Sequence, residues 1–229
     1  MTGRIRIRLM SAVVLLYAVL PAGLYLLNSK ALFGFESLGE VELNLISGSA
    51  ALLGIFALGY EYLKGQFESI EGNVLFIIRC VIFAFILKFA LDLIVQSVFF
   101  LLNLEIESTE NNEAILELSR VSFTKMLGLT VIIAPIVEEI FFRGCLFGGL
   151  YKYGRTLAYI VSVLTFSLLH VAGFMMTDFR VSQIAQLVLY LPASVALTYC
   201  YEKSRNIWAG IAMHAGINAF AMLVLNEAI

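Results

Sequence analysis

Charge is scarce in this 229-residue chain: Asp, Glu, Lys and Arg together make up 14% of it, where a soluble chain carries about 25%. That leaves too little polar sequence to cover a soluble single-core domain. Disorder is excluded by the opposite count, because disordered chains are poor in apolar residues and 61% of these are hydrophobic. A net charge of −2 provides no basic surface for nucleic acid. Cysteine is short too. Cys80, Cys145 and Cys200 each sit in an apolar stretch, spaced neither as a disulfide framework nor as a zinc ribbon, so they read as small buried hydrophobes. Internal repeats, low-complexity linkers and a soluble domain are all missing from the pattern.

What is there is apolar sequence in long runs, with a mean hydropathy of +0.92. Barrel strands would alternate apolar and polar residues; these runs are apolar on every side. The expectation is an all-α, polytopic transmembrane bundle forming one membrane domain over 1–229. Seven apolar segments stand out, near 9–27, 43–60, 74–102, 124–150, 157–176, 182–201 and 206–225. The first follows Arg4, Arg6 and Arg8, runs longer than a signal-peptide core and lacks a small-x-small cleavage site, so it reads as an uncleaved span. The longest loop, 103–123, carries Glu105, Glu107, Glu110, Glu113 and Glu117, and 113–123 suits an amphipathic interfacial helix.

Lysine and arginine near span ends set orientation. With the N-terminus cytoplasmic, Arg4, Arg6, Arg8, Lys64, Lys152, Arg155, Lys203 and Arg205 lie inside, against Lys30, Arg120, Lys125 and Arg180 outside. The excess predicts a multi-pass cell-membrane protein with its N-terminus in and its C-terminus out.

Ionisable groups within spans cost roughly 2.5–3.5 kcal/mol each, so each needs a reason. Lys88 and Asp92, four apart, read as a buried pair, with Gln96 continuing their face. The fourth segment is harder to satisfy. Its centre reads Ala134-Pro-Ile-Val-Glu138-Glu139-Ile-Phe-Phe-Arg143. Glu139 and Arg143 are spaced to pair, with the acid first, the favourable order. Adjacent residues diverge by ~100° around a helix, so Glu138 and Glu139 are not expected to face one partner. Glu138 then needs a partner on another helix. Pro135 removes a backbone hydrogen bond close by.

The chain has two histidines, both within apolar segments. His170 follows Phe166 by one turn, and that ring is placed to brace it. His214 precedes Asn218 by one turn, with Gly210 and Gly216 allowing a close approach of a neighbouring helix. One shared intramembrane site is the parsimonious reading of Glu138, Glu139, His170, His214 and Asn218. Counting ~1.5 Å per residue puts Glu138 and His214 in the inner half of the membrane and His170 higher, a mismatch that a tilted helix would remove.

Glu-Glu-x-x-x-Arg, Phe-x-x-x-His and His-x-x-x-Asn, on successive apolar segments and in this order, resemble the CAAX protease and bacteriocin-processing (CPBP, or Abi) family. Its members are similar to the eukaryotic CAAX prenyl endopeptidase Rce1. The resemblance covers about 124–225 and makes that stretch the catalytic core. It implies an intramembrane endopeptidase, a helical bundle around a water-filled polar cavity, and a membrane-associated peptide or protein as substrate. It also implies roles: Glu138 and His170 activate water, His214 and Asn218 stabilise the oxyanion, and Glu139 with Arg143 completes the motif.

The residues by themselves agree with hydrolysis by water. Ser167 reads as a helix-packing residue, and nothing activates the Cys145 thiol. Glu138 is the base and His214 and Asn218 are donors. A zinc ion held by Glu138, His170 and His214 is the alternative to a metal-free site, although a His-Glu-x-x-His helix that would preorganise ligands is missing. Two other classes compete. One is a non-catalytic protein of the same fold, acting in bacteriocin immunity or on a membrane sensor. The other is a proton-coupled carrier, which would more often show repeats or broken helices in matching halves.

Overall fold

The computed structural model describes residues 1–29, 38–104 and 108–226. Lys30, Glu105 and Glu107, used above to read orientation and the acidic loop, lie outside the described residues. Among those described, the regular structure is helical. Eight helices follow in order. α1 spans 3–29, with a π-helical turn at Val14–Val19. α2 is Glu40–Glu68, α3 Val74–Leu101 and α4 Glu110–Val121. α5 runs through 123–153, α6 is Arg155–Thr177, α7 Ser182–Ser204 and α8 Ile207–Asn226.

Six of these are long and apolar enough to cross a membrane: the Gly3–Leu26 part of α1, α2, α3, α6, α7 and the Ile207–Val224 part of α8. The segment with the paired glutamates is not among the six, because it is built differently. α5 passes from α-helix into π-helix at Gly128–Ile133, back to α at Ala134–Glu139, and into π again at Ile140–Phe147. It still runs from end to end of the bundle. Near its start Lys125 pairs with Glu42 at the beginning of α2. At its end Tyr151 reaches Glu202 at the close of α7, and Asn206, just beyond α7, bonds the Gln66 carbonyl at the far end of α2.

The loop helix begins three residues earlier than the sequence suggests, because Thr109 caps it, its Oγ1 accepting from the Asn112 amide at 3.3 Å. α1 meets α2 along a ladder of mostly small residues, Ser47, Ala51, Ile55, Gly59 and Leu63, which recur every fourth position. Small residues let helices approach closely in lipid; a Cβ at Gly59 would lie 3.2 Å from Leu9. α3 presents many open apolar side chains. Its Phe83, Ile86, Leu93 and Phe100 are open, while Lys88 and Asp92 close on each other at 2.6 Å.

α5 and α8 are the centre of the molecule. On one side Val137, Ile140, Ile207 and Ile211 pack with α1 and α2. On the other Phe142, Ala209 and Met213 pack with Ala84, Phe166 and Leu197 of α3, α6 and α7. The most polar span is thereby the one sheltered from lipid, as unpaired charge in hydrocarbon demands. Cys80, Cys145 and Cys200 are free and buried.

Candidate functional site

Pro135 organises the backbone around the glutamates. In the preceding π turn the Ala134 N–H donates to the Leu129 carbonyl, five residues back. The next carbonyl, that of Thr130, would take its hydrogen from residue 135, which is proline and has none. The Asn218 side chain fills this position: its Nδ2 donates to the Thr130 carbonyl at 2.8 Å. Asn218 therefore ties α8 to the kink in α5 and still has a second amide hydrogen.

Glu139 and Arg143 are both wholly buried. Arg143 Nη1 donates to Glu139 Oε1 at 3.0 Å. Its Nη2 donates to the Ser194 carbonyl at 3.1 Å and to Ser194 Oγ at 3.3 Å. The guanidinium lies over the Phe166 ring, 4.4 Å from its centroid. One side chain thus joins α5, α6 and α7. Gly210 makes space for the carboxylate, since a Cβ there would lie 3.0 Å from Glu139 Oε2.

The sequence suggested that adjacent glutamates diverge too far to share a partner. His214 overturns this. Its Nδ1 is 3.0 Å from Glu139 Oε1, and its Nε2 is 3.9 Å from Glu138 Oε2. An imidazole carries nitrogens on two sides of its ring, so it spans side chains that point apart. Because a carboxylate only accepts, the Glu139 contact assigns the hydrogen to Nδ1. Nε2 then donates only when the ring is the imidazolium, with Glu139 beside it as counter-charge.

His170 is set by a different acceptor. Its Nδ1 is 2.9 Å from the Phe166 carbonyl, which again places the hydrogen on Nδ1 and leaves the Nε2 lone pair free. That Nε2 is 4.0 Å from Glu138 Oε2. Its ring packs against Phe166 and stacks on Tyr190, both at 4.6 Å between centroids. The depth mismatch counted from the sequence is gone: Glu138 meets both imidazoles.

Glu138 is 8% exposed, and its buried Oε2 has no hydrogen-bond partner within the protein. It borders a cavity of about 550 Å³ that is also lined by His170, His214, Asn218, Tyr17 and Tyr190. Asn44 of α2 with Asn111 and Asn112 of α4 line it as well, alongside apolar side chains such as Val13, Leu118 and Met222. Among the described residues no three His, Cys, Asp or Glu side chains are arranged to hold a metal ion. Ligands of one tetrahedral zinc lie about 2.0–2.1 Å from it. The two imidazole–carboxylate separations near 4 Å are wider than such a site makes them. Glu138, His170 and His214 do not fit a shared zinc ion as placed.

Tyr190, Thr109, Ser194 and the shared role of Glu139 were not read from the sequence. Nothing in the spacing marks Ser194. Tyr190, a polar aromatic two residues before Pro192 in an apolar helix, carries a faint signal. Lys88 and Asp92 stand apart from the cavity lining.

Residues 120–220 match the family model described as type II CAAX prenyl endopeptidase Rce1-like. "Putative membrane peptidase YdiL" of Bacillus subtilis (strain 168) is 28% identical over 120 residues, 52% of this chain and 44% of that relative. "UPF0177 protein YaiF" of Lactococcus lactis subsp. lactis (strain IL1403) is 31% identical over 147 residues, 64% of this chain and 61% of the relative. "UPF0177 protein YbdI" of the same strain is 32% identical over 95 residues, 42% and 46% of the two chains. The alignments thus span roughly half of the relatives' own length. No solved structure matches. The stretch that holds Glu138, Glu139, Arg143, His170, His214 and Asn218 in this multi-pass membrane protein is therefore similar to the Rce1-like family of CAAX prenyl endopeptidases.

Proposed function

We propose that the chain is an intramembrane endopeptidase that hydrolyses peptide bonds of a membrane-associated peptide or protein with water held by Glu138 and His170. The observation that carries this is the unpartnered Glu138 Oε2, facing two imidazole Nε2 atoms at 3.9 and 4.0 Å on a cavity wall. Acceptors at that separation can both lie at hydrogen-bond distance, about 2.8 Å, from one water oxygen between them.

In this reading water gives one hydrogen to Glu138 and points the other at the His170 lone pair. Its oxygen attacks the scissile carbonyl carbon as Glu138 takes the proton. Negative charge moves to the carbonyl oxygen. His214, as an imidazolium balanced by Glu139, and the second amide hydrogen of Asn218 stabilise it. Collapse breaks the C–N bond, and the amine leaves with the proton from Glu138. Arg143 keeps the Glu139 carboxylate aimed at His214.

The basic residues near the start of α1 and the ends of α5 and α7 support a reading with that end of the bundle in the cytoplasm. The cavity lies toward the other end, among Pro21, Glu40 and α4. The N-terminus is then cytoplasmic, the C-terminus outside, and the cavity opens on the outer side.

The test compares wild type with Glu138→Gln, which keeps the shape and removes the base. The variant is expected to insert and melt as wild type does. Peptides present in membranes of wild-type cells are expected to be lost from cells carrying the variant, as from cells carrying Glu138→Ala. An unchanged peptide inventory, or full turnover by purified Glu138→Gln on a peptide from that inventory, sinks the reading.

A further inference from the structure

We infer that Tyr190 is a positioning residue for His170, holding its imidazole in the Nδ1–H tautomer with Nε2 turned to Glu138, and that Thr109 tethers Tyr190 for this purpose. The inference rests on the reading of His170 as part of the site.

The geometry has three links. The His170 ring is held at Nδ1 by the Phe166 carbonyl of its own helix, a single hydrogen bond against rotation about χ2. Its faces are closed by Phe166 and by Tyr190, the latter nearly parallel at an interplanar angle of 27°. Tyr190 is in turn fixed at its far end, where its hydroxyl and Thr109 Oγ1 share a hydrogen bond at 2.8 Å. Thr109 is itself immobilised. It caps α4, and α4 is fastened to α7 by the Glu110 amide on Gln186 Oε1 at 3.2 Å, by Gln183 Nε2 on the Glu110 carboxylate at 3.1 Å, and by Arg180 on Glu110 at 2.6 Å. The interfacial helix at the mouth of the cavity is therefore mechanically continuous, through Thr109 and Tyr190, with the imidazole beside Glu138. A Tyr serves here because its ring stacks while its hydroxyl anchors.

The experiment reads the imidazole directly, so it does not depend on proteolysis. The chain has two histidines, so ¹⁵N-histidine labelling gives two ring systems in detergent micelles, and a His214→Gln sample identifies that of His170. The wild-type ring is expected in one tautomer, with a protonated Nδ1 that exchanges slowly with D₂O. Tyr190→Leu removes the stack. It is expected to average the tautomers and to speed Nδ1–H exchange about tenfold, the upper end of what such a ring contact contributes. Tyr190→Phe and Thr109→Val keep the ring and release its tether; both are expected to keep the tautomer and speed exchange about threefold. A purely structural Tyr190 would lower the melting temperature and leave the His170 signals unmoved. Exchange in Tyr190→Leu within about twofold of wild type overturns the inference. If that variant does not fold, exchange within about twofold in both Tyr190→Phe and Thr109→Val overturns it equally. An inactive Glu138→Gln enzyme with wild-type His170 signals would leave this inference standing, and an altered ring in Tyr190→Leu says nothing against Glu138 as base.

Discussion

At the scale of single residues, the site is a problem of placing negative charge where lipid surrounds the bundle. Glu139 is satisfied twice at one oxygen, by Arg143 and by His214, and its second oxygen sits against Gly210. Arg143→Ala removes a partner from a wholly buried carboxylate, and breaking a buried pair costs roughly 3–5 kcal/mol. It also drops the link to Ser194. We expect a large loss of folded protein on detergent solubilisation, measured by thermal melting, and Arg143→Lys should rescue it only in part because a single ammonium cannot hold Glu139 and Ser194 together. Gly210→Ala is a subtler probe. Its methyl group would press on Glu139 Oε2, and overpacking of this kind costs about 1–3 kcal/mol. On the proposed function, turnover per folded molecule is expected to fall as Glu139 shifts relative to His214. Wild-type melting and turnover in Gly210→Ala would show that the carboxylate has room to move.

At the scale of the helix, the broken α5 is explained by one proline and one asparagine. The π turn leaves the Thr130 carbonyl to a residue that has no N–H, and Asn218 supplies the missing donor from α8. Asn218→Ala is expected to destabilise the protein by about 1–3 kcal/mol, the cost of an unsatisfied buried acceptor. Restoring an N–H with Pro135→Ala should recover part of that loss. The double variant is then more stable than the sum of the two single changes, with a coupling of about 0.5–3 kcal/mol. Additive melting shifts would mean that Asn218 is not the substitute for the proline. The catalytic readout tests the second role proposed for Asn218: an oxyanion donor would on removal lower kcat by about 10²–10³, and Pro135→Ala would not restore it. A second clamp lies away from the cavity, where Glu202 accepts from Arg155 at 2.6 and 2.9 Å and from Tyr159 at 2.9 Å, binding α6 to the end of α7.

At the scale of the whole molecule, the seven crossings read from hydropathy become six helices long and apolar enough to span a membrane and α5, broken by two π-helical stretches, which lies in the middle. Lipid-facing backbone must satisfy its polar groups within its own helix, because nothing outside can satisfy a stray carbonyl. α1 carries one π turn, at Val14–Val19, whereas α5 carries two and is enclosed by α1, α2, α3, α6, α7 and α8. The cavity then opens at the end away from Lys152 and Lys203. Single cysteines introduced at Glu113 and at Lys152, both exposed, test the orientation on intact cells. A membrane-impermeant maleimide is expected to label the first and spare the second until the cells are opened. Labelling in the reverse order would invert the topology. The native thiols are buried and should stay silent.

The sequence alone was enough for the class of fold and for singling out the polar residues within the apolar runs, since both follow from local facts: long apolar runs need helices in lipid, and carboxylates and histidines inside such runs need partners. The Glu139–Arg143 and Lys88–Asp92 pairs were legible because four residues is one helical turn. Tertiary structure alone decided who faces whom across helices. That His214 spans both glutamates, that Asn218 answers a proline 83 residues before it in the sequence, and that Tyr190 stacks on His170 depend on how helices tilt and rotate against each other. Helical periodicity records which face a residue is on, and is silent about which neighbour that face meets.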